Sequence, residues 1–145
     1  MNTMKSKLLE YIIQNNPEVI FASQESGKRL SDYIEEKVKS LNGFMEPLIA
    51  QGKPLYDIEK LCMDELTKDL RPSKFAYIRQ LLEEEFEPHF ARLRENGSLT
   101  YEIVNLIKVC SRAFEAIEFS EENKHSRVLH YAIREMIHDY FQSES

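Results

Sequence analysis

The chain has 145 residues, of which 42% are hydrophobic and 30% charged. That composition reads as a soluble globular domain rather than a disordered segment, with enough core to be stable without staples. Only 4 glycines and 5 prolines argue against a sandwich of short strands and tight turns, and no apolar run approaches the roughly 18 residues of a membrane span. The formal net charge is −6, and residues 1–72 and 73–145 are both acidic on balance. Neither half supplies the clustered lysine and arginine on which binding to a phosphate backbone rests, so nucleic acid is not an expected partner.

Met4, Leu8 and Ile12, with Leu9 and Ile13 beside them, predict a first helix over residues 4–15. Pro17 ends it, because the residue before proline is pushed out of the helical region. Residues 17–26 read as a connection, with Val19, Ile20 and Phe21 tucked against the core. Leu30, Ile34, Val38, Leu41, Met45 and Leu48 recur in steps of three and four. They predict one helix from 28 to 51, kinked where Pro47 meets the carbonyl of Gly43. The alternative is two helices split at Asn42-Gly43. Gly52 then stops the chain and Pro54 starts a third helix running to Leu70, with Leu55, Ile58, Leu61, Cys62 and Leu66 on its face.

Arg71-Pro72 breaks that helix, and Ser73 suits the N-cap of the next. This fourth helix carries Phe75, Ile78, Leu82 and Phe86 on one side, and Tyr77 and Leu81 on another. A helix apolar on two sides is enclosed by neighbours. A short helix over 88–95 buries Phe90 and Leu93 and closes at Asn96-Gly97. A sixth, over 99–117, carries Ile103, Ile107, Cys110, Phe114 and Ile117. The last runs from Ser120 to Phe141 with Leu129, Ile133, Met136, Ile137 and Tyr140 inward. The expected fold is all-α, a single domain over 1–145, with six or seven helices packed irregularly around the central helix that begins at Ser73.

The sequence holds no GxGxxG, P-loop, GxSxG, HExxH or CxxC pattern. Cys62 and Cys110 fall on apolar stripes and read as buried thiols. Glu-x-x-His occurs twice, as Glu122 with His125 and Glu135 with His138. A di-metal carboxylate bundle needs that spacing on two different helices. Here both copies fall on the predicted last helix and His138 points away from its inward face, so neither a metal nor a cofactor is expected. Glu85 and His89, four apart beside the Leu82/Phe86 stripe, are the catalytic candidates: a poised acid and base, or an ordinary i,i+4 contact. The run Glu83-Glu84-Glu85-Phe86-Glu87 reads as a solvated face. Arg71-Pro72-Ser73-Lys74 resembles the turn of a helix-turn-helix, but the helix after it is too apolar to present a face to base edges.

Val128 and Tyr131 lie on the far side of the last helix from Leu129, Ile133 and Met136. They are the candidate interface residues, for a protein partner or for self-association as a homodimer. The N-terminal residues Met1–Lys7 are polar and the apolar stretch after them is interrupted by Glu10, which is not a secretory signal. The expected compartment is the cytoplasm.

The stretch from Gly52 through Leu66, Leu70, Ser73, Leu82 and Glu85-Phe86, followed by Leu106-Ile107-x-x-Cys110-x-x-x-Phe114, resembles a family of small all-helical bacterial proteins of unknown function. Tyr11 and Pro17 in the opening segment fit it too, whereas Gly43, Met45 and Pro47 make the second helix more broken than the family pattern. Members are often carried on conjugative transposons and other mobile elements, and no catalytic residues come across with the resemblance. The expected function is a non-enzymatic interaction or accessory protein linked to mobile-element maintenance. The alternatives are a nucleic-acid-associated regulator and a small enzyme using the Glu85/His89 pair.

Overall fold

A computed structural model describes residues 2–144. The fold is all-α: among the described residues there are ten α-helices, one 3-10 turn and no strand. None of these helices is long and apolar enough to cross a membrane. The chain divides into two compact units, Met1–Arg71 and Pro72–Ser145, and each has its own apolar core.

The first unit contains α1 (Asn2–Asn15), α2 (Pro17–Ser26), α3 (Leu30–Lys39), α4 (Asn42–Ala50) and α5 (Leu55–Thr67), which runs on into the 3-10 turn Lys68–Leu70. α1 turns Met4, Leu8 and Ile12 inward, where they join Ile34, Val38 and Leu41 and, from α5, Ile58, Cys62 and Leu66. Leu9 and Ile13, expected beside them, are exposed. Each lies about 100° round the cylinder from its buried neighbour, beyond the packed stripe. Leu55 is exposed as well, because it stands at the first position of α5, before the stripe meets the core.

Residues 17–26 are a helix and not a connection. Proline lacks the N–H that a first helical position leaves unbonded, so Pro17 starts α2 as readily as it ends α1. Gly27, at φ 76°, ends it in the left-handed region. The long helix expected over 28–51 is two, with the break at Ser40–Leu41. Ser40 Oγ donates to the Lys37 carbonyl at 2.6 Å, satisfying one acceptor at the open end of α3. Asn16 is buried between α1 and α2, and its Nδ2 donates to the Leu70 carbonyl at 3.1 Å, tying that corner to the end of α5.

The second unit contains α6 (Lys74–Glu85), α7 (Glu87–Glu95), α8 (Leu99–Val109), α9 (Ser111–Ala116) and α10 (Arg127–Ser143). Ser73 caps α6 as expected, accepting the Ala76 N–H at 2.9 Å. α6 buries Phe75, Ile78, Leu81 and Leu82 and packs against α7 and α8. The helix expected over 99–117 breaks at Cys110, whose carbonyl accepts from both Ala113 and Phe114. Leu106, Cys110, Ala113 and Phe114 are buried on either side of the break, so the apolar spacing runs through it unmarked.

The last helix begins at Ser126 and not at Ser120. Ser126 Oγ accepts the Leu129 N–H at 3.2 Å. Upstream, Asn123 holds a turn instead: its Oδ1 accepts the Ser120 N–H at 2.7 Å and its Nδ2 donates to the Ile117 carbonyl at 2.7 Å. Glu118, at φ 51°, supplies the left-handed residue this turn requires. These breaks, with α2, are why the helices outnumber the six or seven expected.

Candidate functional site: the outward face of α10 and the cleft beside it

α10 is packed on one side only. Leu129, Ile133, Ile137 and Phe141 are buried, and Met136 and Tyr140 pack half-buried against the same core. The Tyr140 hydroxyl donates to Glu102 Oε2 at 2.8 Å, tying α10 to α8. Burial first, and the Glu102 carboxylate second, hold this phenol well above the usual tyrosine range.

On the opposite side, Val128 is 76% and Tyr131 65% exposed. They are i,i+3 neighbours, so their side chains adjoin on the helix surface. The charges around them are sorted. At about 100° per residue, Arg127, Arg134 and His138 fall on one flank of Tyr131, and Glu135 and Asp139 fall on the other. Arg134 Nη1 reaches Glu135 at 4.0 Å and His138 Nδ1 reaches Asp139 at 3.8 Å, both long contacts at the surface.

Glu85 and His89 do not bond to each other. Glu85, at the end of α6, accepts Arg134 Nε at 2.8 Å and pairs with His130 Nε2, so its carboxylate clamps α6 to α10. His89, on α7, stacks on the Phe141 ring with centroids 4.1 Å apart and planes 11° from parallel. Burial, and then the Arg92 cation, lower its pKa. Both candidates do line one cleft of about 470 Å³, together with Phe86, Pro88, Arg134, Glu135, His138, Phe141 and Gln142. Chemically, Glu85 is a carboxylate already compensated by a guanidinium, and His89 is a ring held by stacking. The residues that sequence reasoning missed are His130 and Arg134. Their i,i+4 spacing on the predicted last helix was visible, but their partner lies on a different helix.

Glu122 and His125 precede α10 and lie in the turn region, while Glu135 and His138 are on α10, with His138 exposed. Among the described residues, no group of three His, Cys, Asp or Glu is placed to hold a metal ion. Cys62 and Cys110 are buried free thiols. Burial pushes Cys110 up to about 12, and burial with Glu59 raises Cys62, so neither is an activated nucleophile. Further exposed apolar residues lie in the first unit: Leu9 and Ile13 on α1, and Ile49, Leu55 and Tyr56 at the α4–α5 corner.

Comparison with protein-family models, with curated proteins and with solved structures finds no match in any of the three.

Proposed function

We propose that this chain is a non-enzymatic interaction or accessory protein that docks a protein partner on the outward face of α10. The observation that carries the reading is the adjoining exposure of Val128 and Tyr131 on a helix whose other side packs on the core. Leu129, Ile133, Ile137 and Phe141 already seat this helix on the core, and the outward pair stands mostly in solvent. An exposed aromatic beside an aliphatic, rimmed by charges of both signs, is the composition of an interface anchor. The acidic balance of the chain favours a protein over a nucleic acid in that role. The resemblance noted in the sequence adds the setting: a bacterial cytoplasm and the maintenance of a mobile element.

A photo-crosslinking amino acid at position 131 tests this in the native cell. The reading expects a covalent adduct of one defined mass, lost on Val128→Asp, and no adduct from a probe at exposed Lys28. Absence of any adduct from position 131 contradicts it.

A second reading, a small enzyme using Glu85 and His89, is supported by their sharing one cleft. It ranks below the first because Arg134 and His130 already engage the carboxylate a general base would need. A thermal-shift screen of small metabolites, with His89→Ala as the control, tests it: a hit lost in the variant favours the cleft.

A further inference from the structure

The flanks of the α10 face say which partner fits it. Resting on the reading of that face as a docking surface, the geometry points to a second copy of this chain, with the two α10 helices side by side and parallel about a two-fold axis running along them past Tyr131.

In a two-fold pair the same patch meets itself, so the patch must be self-complementary. When two parallel helices face each other about such an axis, the left flank of one meets the right flank of the other. Taking Tyr131 as the facing direction, Arg127, Arg134 and His138 lie 40°, 60° and 20° to one side at about 100° per residue. Val128, Glu135 and Asp139 lie about 60°, 40° and 80° to the other. Each residue on the first flank is followed directly by one on the second, so the two stand at nearly the same height. In the parallel pair Arg134 therefore meets Glu135 of the second copy, His138 meets its Asp139, and the Arg127 stem covers its Val128. Tyr131 meets Tyr131 on the axis. Arg134 keeps Nε on Glu85 of its own chain at 2.8 Å; the long contacts that its Nη1 makes to Glu135 and that His138 makes to Asp139, 4.0 and 3.8 Å, are replaced by the same pairs formed between chains.

The antiparallel arrangement fails on the same count. There each flank meets its own kind, which sets Arg127 against Arg134 of the other copy twice over and leaves Glu135 against Val128. Like charges facing across an interface select against that register. The contact is one helix face with two apolar anchors per copy, well short of the roughly 1,200 Å² of a stable interface. The expected dimer is therefore weak and concentration-dependent, with a dissociation constant of ~0.1–1 mM.

Sedimentation equilibrium of the full chain, combined with cysteine crosslinking, tests this. The wild type is expected to rise toward twice the monomer mass as concentration approaches ~1 mM. Tyr131→Asp, at an exposed position, and Glu135→Lys, at a half-buried one, both checked for unchanged helicity, should each weaken association roughly tenfold or more. Orientation is read from Gln142→Cys. Position 142 lies about 20° from the Tyr131 direction and ~16 Å along the helix, so two copies oxidise to a disulfide dimer in the parallel pair. In the antiparallel one they stand ~33 Å apart. The native thiols, both buried, do not compete. A wild type that stays monomeric to ~1 mM, or one that dimerises with no disulfide at 142, overturns the proposal. A monomeric wild type whose position 131 crosslinks a different protein in cells refutes the second copy and leaves the docking face standing; a monomer with no crosslink refutes both.

Discussion

The two units are nearly equal in length but are built on different cores. The first buries Met4, Leu8, Ile12, Ile34, Val38, Leu41, Ile58, Cys62 and Leu66, with no aromatic ring among them. The second buries Phe75, Phe90, Phe114 and Phe141 within a larger set, and Tyr77 and Phe119 meet Phe114 edge-on at 5.7 and 4.8 Å. Each aromatic ring removes roughly 150–250 Å² from water and adds specific geometry. The second unit thus seats α10 on aromatic contacts, Phe141 against Phe86 and His89, while the first buries aliphatic side chains with Tyr33 and Phe44 at the edge and is tied by Asn16 to Leu70. Exposed apolar residues occur on both units: Val128 and Tyr131 ride α10 between sorted charges, Leu9 and Ile13 ride α1, and Ile49, Leu55 and Tyr56 sit round a turn.

The largest expected effect is in the aromatic core. Phe114→Ala should cost about 3–5 kcal/mol, read by urea unfolding, because it removes the ring on which Tyr77 and Phe119 close. A loss below about 1 kcal/mol would mean that the aromatic cluster does not organise this unit. In the aliphatic core, Leu8→Ala should cost about 2–5 kcal/mol. Hydrogen exchange should place its loss of protection in residues 2–71 and not around Phe114; an even loss over both cores would mean that the two cores are not separate. Removing the caps comes next: Ser126→Ala and Ser73→Ala should each cost about 1 kcal/mol, measured by thermal melting. If Ser126→Ala is silent while Ser120→Ala is not, the start assigned to α10 is wrong.

The smallest effect is a pH dependence. The pKa of His89 is lowered in the folded chain from an ordinary 6.5. The unfolded chain thus binds the proton more tightly, and stability rises with pH through that window. The contribution of the neutral ring is present above about pH 6.5 and is lost as pH falls through the folded value. His89→Phe keeps a ring against Phe141 and removes the titration, so its melting temperature should fall less than the wild type's between pH 7 and 5. An equal fall in both places the pH sensitivity elsewhere.

The helical class was legible because apolar side chains recur every three or four residues throughout, and that signal survives errors in where helices end. The ends were less legible. Periodicity runs straight through Cys110, since both sides of the break face the same core, and Pro17 carries opposite meanings for the helix before it and the one after. Ser120 reads as the start of the last helix in the sequence, but the side chain of Asn123, reaching back to Ile117 and Ser120, holds a turn there and Ser126 caps the helix instead. The outward pair Val128 and Tyr131 was legible because it depends on one helix alone. The fate of Glu85 was not, because its partners come from α10 and no spacing within α6 or α7 could reveal them. The division into two cores was hidden for a similar reason: Arg71-Pro72 looks like any other break between helices.

The most direct test of the α10 face is a nuclear magnetic resonance dilution series on the full chain, followed residue by residue from ~1 mM to ~20 µM. The account predicts shifts confined to the outward residues of 127–142, strongest at Tyr131, while Leu55 and Tyr56 stay still. Unchanged spectra at α10, or changes centred on the α4–α5 corner, would contradict it.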